Sequence, residues 1–201
     1  NNGLDWKPIF ENQPTLGIGD IAIAPSNSEI LYLGTGESLR KNRNFTMPGT
    51  GVYRSDDGGE TWAHLGLEET WHIGEIVVHP HNPDIVFVAA MGKFWSESTS
   101  KGIYRTINGG KDWERVLYIN ENTRANDIVI AHSNPKIVYA SMWENNDNAN
   151  IAESVYGPNS GIYYSSDGGS TWKRSKTGLP DDPKIGRIGL AVSYQNAQKV
   201  Y

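Results

Sequence analysis

Apolar residues alternate with small or polar ones over stretches of four to seven positions along the whole chain, the two-residue period of strands with one face buried. Ile18-Gly19-Asp20-Ile21-Ala22-Ile23-Ala24-Pro25 runs into Ile30-Leu31-Tyr32-Leu33. The same pair of runs recurs as 73–80 with 85–88, as 125–132 with 137–140, and as 185–192 with 200–201. Asn-Pro at 82–83 and at 134–135 marks the turn between paired runs. No segment of ten or more residues keeps a 3.6-residue period, so the pattern predicts strands and no helix.

A second element sits between these runs. Ser55-Asp56-Asp57-Gly58-Gly59-Glu60-Thr61-Trp62 is echoed by Thr106-Ile107-Asn108-Gly109-Gly110-Lys111-Asp112-Trp113 and by Ser165-Ser166-Asp167-Gly168-Gly169-Ser170-Thr171-Trp172. Each copy follows a Gly-apolar-Tyr lead, at 51–53, 102–104 and 161–163, and a beheaded copy opens the chain with Asn1, Gly3 and Trp6. A unit of about 55 residues with four strands, A (18–24), B (30–36), C (51–55) and D (61–66), is the size of a propeller blade. The expected fold is all-β, a propeller arc of four-stranded antiparallel blades. Residues 1–17 supply a D strand and linker, 18–66, 67–118 and 119–176 three complete blades, and 177–201 the first two strands of a fourth. Such an arc exposes apolar blade faces, so we expect it to be part of a larger propeller, or to be completed by a neighbouring copy.

Composition narrows the function. The net charge of −5 over 201 residues argues against binding to nucleic acid, and no apolar run approaches the roughly 20 residues that insert into a membrane. With Cys at 0, disulfides, thiolate metal sites and cysteine nucleophiles are excluded. His79 and His81 flank Pro80 without a third ligand, and Gly34-Thr35-Gly36 lacks the Lys-Ser/Thr of a phosphate loop. We therefore expect no metal and no cofactor. Asp57 and its glycines suit a tight C-to-D hairpin in which the carboxylate accepts turn amides and Trp62 packs into the blade. Asn108 in the same slot keeps such a turn and spoils a nucleophile.

The S/T-x-D/N-x-G-x-x-W pattern resembles the Asp-box, or bacterial neuraminidase repeat, of sialidases, xyloglucanases and sortilin-type propellers. The longer pattern, with Gly34-Thr35-Gly36-Glu37, His72-Ile73-Gly74, Glu121-Asn122-Thr123 and 186–192, looks most like bacterial sortilin-like BNR-repeat proteins, a group often labelled glycosyl hydrolases. The resemblance implies a propeller that binds or hydrolyses a polymer and is exported to the periplasm, cell surface or medium, with its signal segment outside these residues. Gly34-Thr35-Gly36-Glu37 stands where xyloglucanases carry Thr-Asp-x-Gly-Gly, and the arginines do not match the sialidase triad.

Short A-to-B and C-to-D turns share one end of the blades, while the long B-to-C and D-to-A loops crowd the other, where binding usually sits. Trp71, Trp95 and Trp143 fall on that second end with Phe45, Phe94, Tyr118 and Tyr156, beside Glu144 and Arg187. Flat rings among carboxylates and amides suit a glycan or a protein segment. The innermost strands enter at Asp20, Glu75, Asp127 and Arg187, candidates to line a central channel, with Glu37 a further candidate at a strand B exit. A carboxylate pair there would suit inverting glycoside hydrolysis. The leading expectation is a binding module; the alternative is a glycosidase.

Overall fold

The computed structural model describes the chain except residues 1–2, 39–45, 95, 146–155, 180–181 and 183. The described residues form three four-stranded antiparallel sheets, each a meander in chain order. The first holds β1 (Ile18–Ile23), β2 (Leu31–Thr35), β3 (Val52–Ser55) and β4 (Ala63–His64). The second holds β5 (Ile73–Val78), β6 (Val86–Ala90), β7 (Gly102–Thr106) and β8 (Glu114–Leu117). The third holds β9 (Thr123–Ile130), β10 (Val138–Glu144), β11 (Gly161–Ser165) and β12 (Lys173–Arg174). One 3-10 turn, Glu68–Thr70, precedes β5.

The apolar alternation is used between sheets. Tyr32, Val52, Ile73, Ile76 and Val86 join the first sheet to the second, with Leu65 and Trp113 packed against them. Phe87, Ile103, Ile128, Ala140 and Met142 join the second to the third. Ile137 and Tyr139 meet Leu190, Val192 and Val200 beyond the third. Every residue of β2 and of β6 is buried; each is an inner strand, paired on both sides within its sheet. On β1, Ile18, Ile21 and Ile23 remain exposed.

The ends differ from the expected strands. Residues 3–17 carry no strand, although the segment takes the position of one: Trp62 donates Nε1–H to Ile9 O (2.7 Å) as Trp113 does to Leu65 O (2.9 Å) in the preceding sheet. The beheaded box also keeps its turn, since Trp6 Nε1 donates to Gly3 O as Trp172 does to Gly169 O, both at 3.0 Å. After residue 184 the described chain forms the single antiparallel bridge Val192–Val200 in place of two regular strands. Of the box tryptophans, Trp62, Trp113 and Trp172 are half-buried, whereas Trp6 of the beheaded copy is exposed.

Candidate functional site

The three box turns are built alike. Ser55 Oγ accepts from Gly59 N (2.8 Å) and donates to Asp57 Oδ1 (2.7 Å). Asp57 in turn accepts from Thr61 N (2.9 Å) and Thr61 Oγ1 (2.6 Å). Ser165, Asp167, Gly169 and Thr171 repeat this set. The glycines at 59, 110 and 169 have φ of 95°, 89° and 83°, so a side chain there would be strained. In the middle copy Thr106 takes the serine's role, and Asn108 donates Nδ2–H to Asp112 Oδ2 (2.9 Å). The donor and acceptor have changed places: an acid facing a hydroxyl becomes an amide facing an acid. Hydrogen bonds from Thr61 hold the Asp57 carboxyl down at about 2, and those from Thr171 hold Asp167 lower still. Carboxylates with their lone pairs engaged in a turn are poor candidates for proton transfer.

The innermost strands carry the charged row. A bulge interrupts the β1–β2 register between Ile18 and Asp20, and another the β5–β6 register between Ile73 and Glu75. Bulges re-aim the side chains that follow them. Gly19 is required there, because a Cβ would run into Ile73 O. Asp20 Oδ2 accepts from Ile76 N of the next sheet (2.8 Å), and Asp127 Oδ2 likewise from Leu190 N (3.0 Å). Glu75, one methylene longer, makes no such bond among the described residues. Burial first, then the charges of Asp20 and Asp127, push its carboxyl up to about 8 against the pull of Arg187. Burial also raises Asp20 and Asp127, opposed by their amide partners.

Arg187 is not at the position expected for it. Ala24 N to Ile30 O, His79 N to Ile85 O, Ala131 N to Ile137 O and Ser193 N to Lys199 O are one and the same turn bond. Counting back from Ser193 puts Gly189 in register with Asp20, Glu75 and Asp127. Arg187 enters two residues earlier and acts on the row as a nearby cation.

The long-loop end holds a cleft of 480 Å³ where Trp71, Lys93, Glu69, Glu121 and residues 97–100 meet. Trp71 is 37% exposed and has φ 58°, a left-handed conformation held where Gly49 N donates to its carbonyl (2.6 Å). Lys93 Nζ stands 4.5 Å from the centre of its ring. The far wall is tied by Ser98 Oγ to Ser100 Oγ (2.7 Å) and by Ser100 Oγ donating to Glu69 O (2.5 Å). Below Glu121, the fully buried Lys101 donates to its carbonyl (2.5 Å). Lys93, Glu69 and Ser98–Ser100 were not singled out by sequence reasoning; the one available signal is their place in long loops next to Trp71.

The other ring candidates divide. Trp143 is 5% exposed and closes a small core with Met91 and Phe94, so it holds the loops onto the sheets and offers no open ring. Arg124, wholly buried, stacks over Phe94 (4.3 Å) and Trp143 (6.0 Å). His72 lies on the Phe94 ring at 4.3 Å, with burial holding its imidazole down at about 4. Trp95 and Phe45 lie outside the described residues. Tyr118 is partly exposed under Arg115 and Tyr156 lies beside Lys184. Glu144 accepts from Asn159 N (2.8 Å) and Nδ2 (3.2 Å), and Glu37 Oε2 from Met47 N (3.2 Å); both order their own loops. His81 has His132 beside it at 5.8 Å as well as His79, yet among the described residues no group of three or more His, Asp or Glu could hold a metal ion.

Meander sheets stacked face to face, with Asp-box turns at one end and long loops at the other, define an Asp-box β-propeller. The family model described as Sortilin, neurotensin receptor 3 (Sortilin-Vps10) matches residues 50–181, and the chain belongs to that family. A probable oligoxyloglucan-reducing end-specific xyloglucanase of Neosartorya fischeri is 30% identical over 143 residues, 69% of this chain and 15% of that protein. The crystal structure of an ancestral GH74 enzyme covers 98% of this chain and 22% of its own, with TM-score 0.69 and 22% identity. The GH74 enzyme of Niastella koreensis covers 88% and 24%, with TM-score 0.55 and 20% identity. The chain thus spans a quarter or less of the length of these proteins, and at such identities the solved structures show a common fold. Among the described residues no helix is long and apolar enough to cross a membrane.

Proposed function

We propose that the protein binds a glycan in the long-loop cleft. The observation that carries this is the exposed Trp71 ring set into a concave wall of carboxylates, hydroxyls and one ammonium. An aromatic face covers the apolar side of a pyranose, and the polar groups take its hydroxyls. Xyloglucan oligosaccharides are the first probe, given the activity named for the N. fischeri relative. The exposed isoleucines of β1 support further blades, of a longer chain or of a neighbouring copy, covering that face. Calorimetric titration of xyloglucan oligosaccharides into the wild type and Trp71→Ala tests the reading. Loss of the ring is expected to weaken binding about tenfold or more, as for other buried aromatic anchors. Equal affinity of the two proteins would overturn it.

A second reading is favoured by Glu75. A carboxyl held protonated at neutral pH between two acids has the property of a general acid in glycoside hydrolysis. Asp20 and Asp127, bound to amides of the neighbouring segments, are less free to activate water. Under this reading Glu75→Gln abolishes release of reducing sugar while leaving oligosaccharide affinity intact. Unchanged release would remove it.

A further inference from the structure

On the short-turn end, away from the cleft, successive seams between sheets begin from the same sequence positions and close differently. At the first seam Tyr32 donates its hydroxyl to Pro83 O (2.9 Å). Arg54 there reaches Asp84 (2.9 Å), Asp56 (2.7 Å) and the Tyr32 hydroxyl (2.9 Å). At the third seam Tyr139 donates to Ala197 O (2.9 Å), the residue in register with Pro83. The second seam has Phe87 in the tyrosine position, Ile107 in that of Asp56 and Lys136 in that of Asp84. The equivalence is fixed by a shared turn bond, Gly109 N to Asp84 O (3.0 Å) and Gly168 N to Lys136 O (2.8 Å).

Three changes therefore remove one hydroxyl and two carboxylates from one seam. Arg105, which corresponds to Arg54, keeps that residue's bond to the box glycine, Gly168 O (2.7 Å) for Gly109 O (3.4 Å), and replaces the lost partners with Ser170 Oγ (3.1 Å) and Glu114 (2.8 Å). The seam stays open as a cavity of 440 Å³. Its apolar surface comes from Ile85, Phe87 and Ile107, the last 67% exposed, and His79, His81 and Lys136 stand around it. Among the described residues no carboxylate lines it, in a chain whose net charge is −5.

We propose that this seam binds a small organic anion with an apolar body, an aryl or alkyl carboxylate or sulfonate. The body lies against Phe87 and Ile107 and the charge faces Lys136 and the imidazoles. The volume is that of a small-molecule site, and an apolar floor with a few convergent polar groups is the usual construction of one. At the neighbouring seam, built on the same positions, Arg54 with Asp56 and Asp84 stands where the ligand's body and charge would lie.

The test uses 8-anilinonaphthalene-1-sulfonate and its uncharged counterpart N-phenyl-1-naphthylamine, titrated by fluorescence into the full chain. The expected result is saturable one-to-one binding of the sulfonate and much weaker binding of the neutral amine. The combined variant Phe87→Tyr, Ile107→Asp, Lys136→Asp rebuilds the first seam, and it should lower sulfonate affinity about tenfold or more. Its thermal midpoint should match or exceed that of the wild type, since Arg105 regains partners. Should the combined variant not fold, Lys136→Ala alone, at an exposed side chain, should weaken the sulfonate several-fold and leave the amine unchanged. Trp71→Ala should bind the sulfonate as the wild type does. No saturable binding, equal affinity for the two probes, undiminished sulfonate binding by the folded seam variants, or loss of binding in Trp71→Ala would each overturn the proposal.

Discussion

At the middle box the side chains at 108 and 112 have exchanged the roles that 57 and 61 play in the first, and the exchange makes a prediction. Asn108→Asp alone sets two carboxylates against each other and should lower the thermal midpoint by roughly 2–5 °C. Adding Asp112→Thr restores an acid facing a hydroxyl and should recover most of that loss. Independent effects of the two changes in a thermal melt would contradict the pairing. The acids also differ in how they couple to pH. Asp57 is held at about 2 against an ordinary 3.8, so what it contributes is present above 3.8 and lost as pH falls towards 2. Glu75 runs the other way: raised from 4.5 to about 8, it binds a proton in the folded state that the unfolded chain has released, so stability falls as pH rises between those values. Glu75→Gln should flatten the decline in thermal midpoint from pH 5 to pH 8, and an unaltered slope would show that the row of acids is not coupled. The turn-keeping role of Asn108 was legible in the sequence because Asn and Asp fit the same turn. The pairing with position 112 was not, because the two side chains meet only when the turn closes.

Strands were legible from their two-residue period, and so were their order and approximate bounds, because each apolar run ends at a Gly, Pro or Asn turn. Register was legible only where the turn left no choice. The segment 185–190 offers two Ile-Gly matches to Ile18-Gly19-Asp20, and the bond from Ser193 N to Lys199 O selects neither: it puts Gly189 in register with Asp20, with Arg187 two residues earlier. Burial of Trp143 was hidden for a related reason. β10 runs to Glu144, two residues beyond the ends that β2 and β6 reach, so a ring expected to lie open beside a loop belongs to the buried end of a strand. The bulges that aim the acid row are also properties of elements. At Gly74 a Cβ would lie 2.5 Å from Asn126 O, so Gly74→Ala must push the β5 entry away from β9. A loss of about 1–3 kcal/mol in denaturant unfolding is expected from such overpacking. Full stability would mean that the two strands are not in close contact at the bulge.

For the whole molecule, the apolar seams between sheets hold the arc together, and the two ends of the sheets are free to differ. One end is crowded by short stapled turns, and the other gathers the long loops, the cleft beside Trp71 and the entries of the innermost strands. That division was readable from loop lengths, whereas the cleft itself was not, since Glu69 comes from the loop before β5 and Lys93 and Ser98–Ser100 from the loop between β6 and β7, and the two carry no common motif. The account rests on the claim that this end takes the ligand, and amide hydrogen exchange with and without xyloglucan oligosaccharides tests it most directly. The account predicts slowed exchange in segments 69–72, 92–100 and 120–122, with the Asp-box turns at 55–62, 106–113 and 165–172 unchanged. Protection centred on the box turns, or no protection at any concentration, would contradict it.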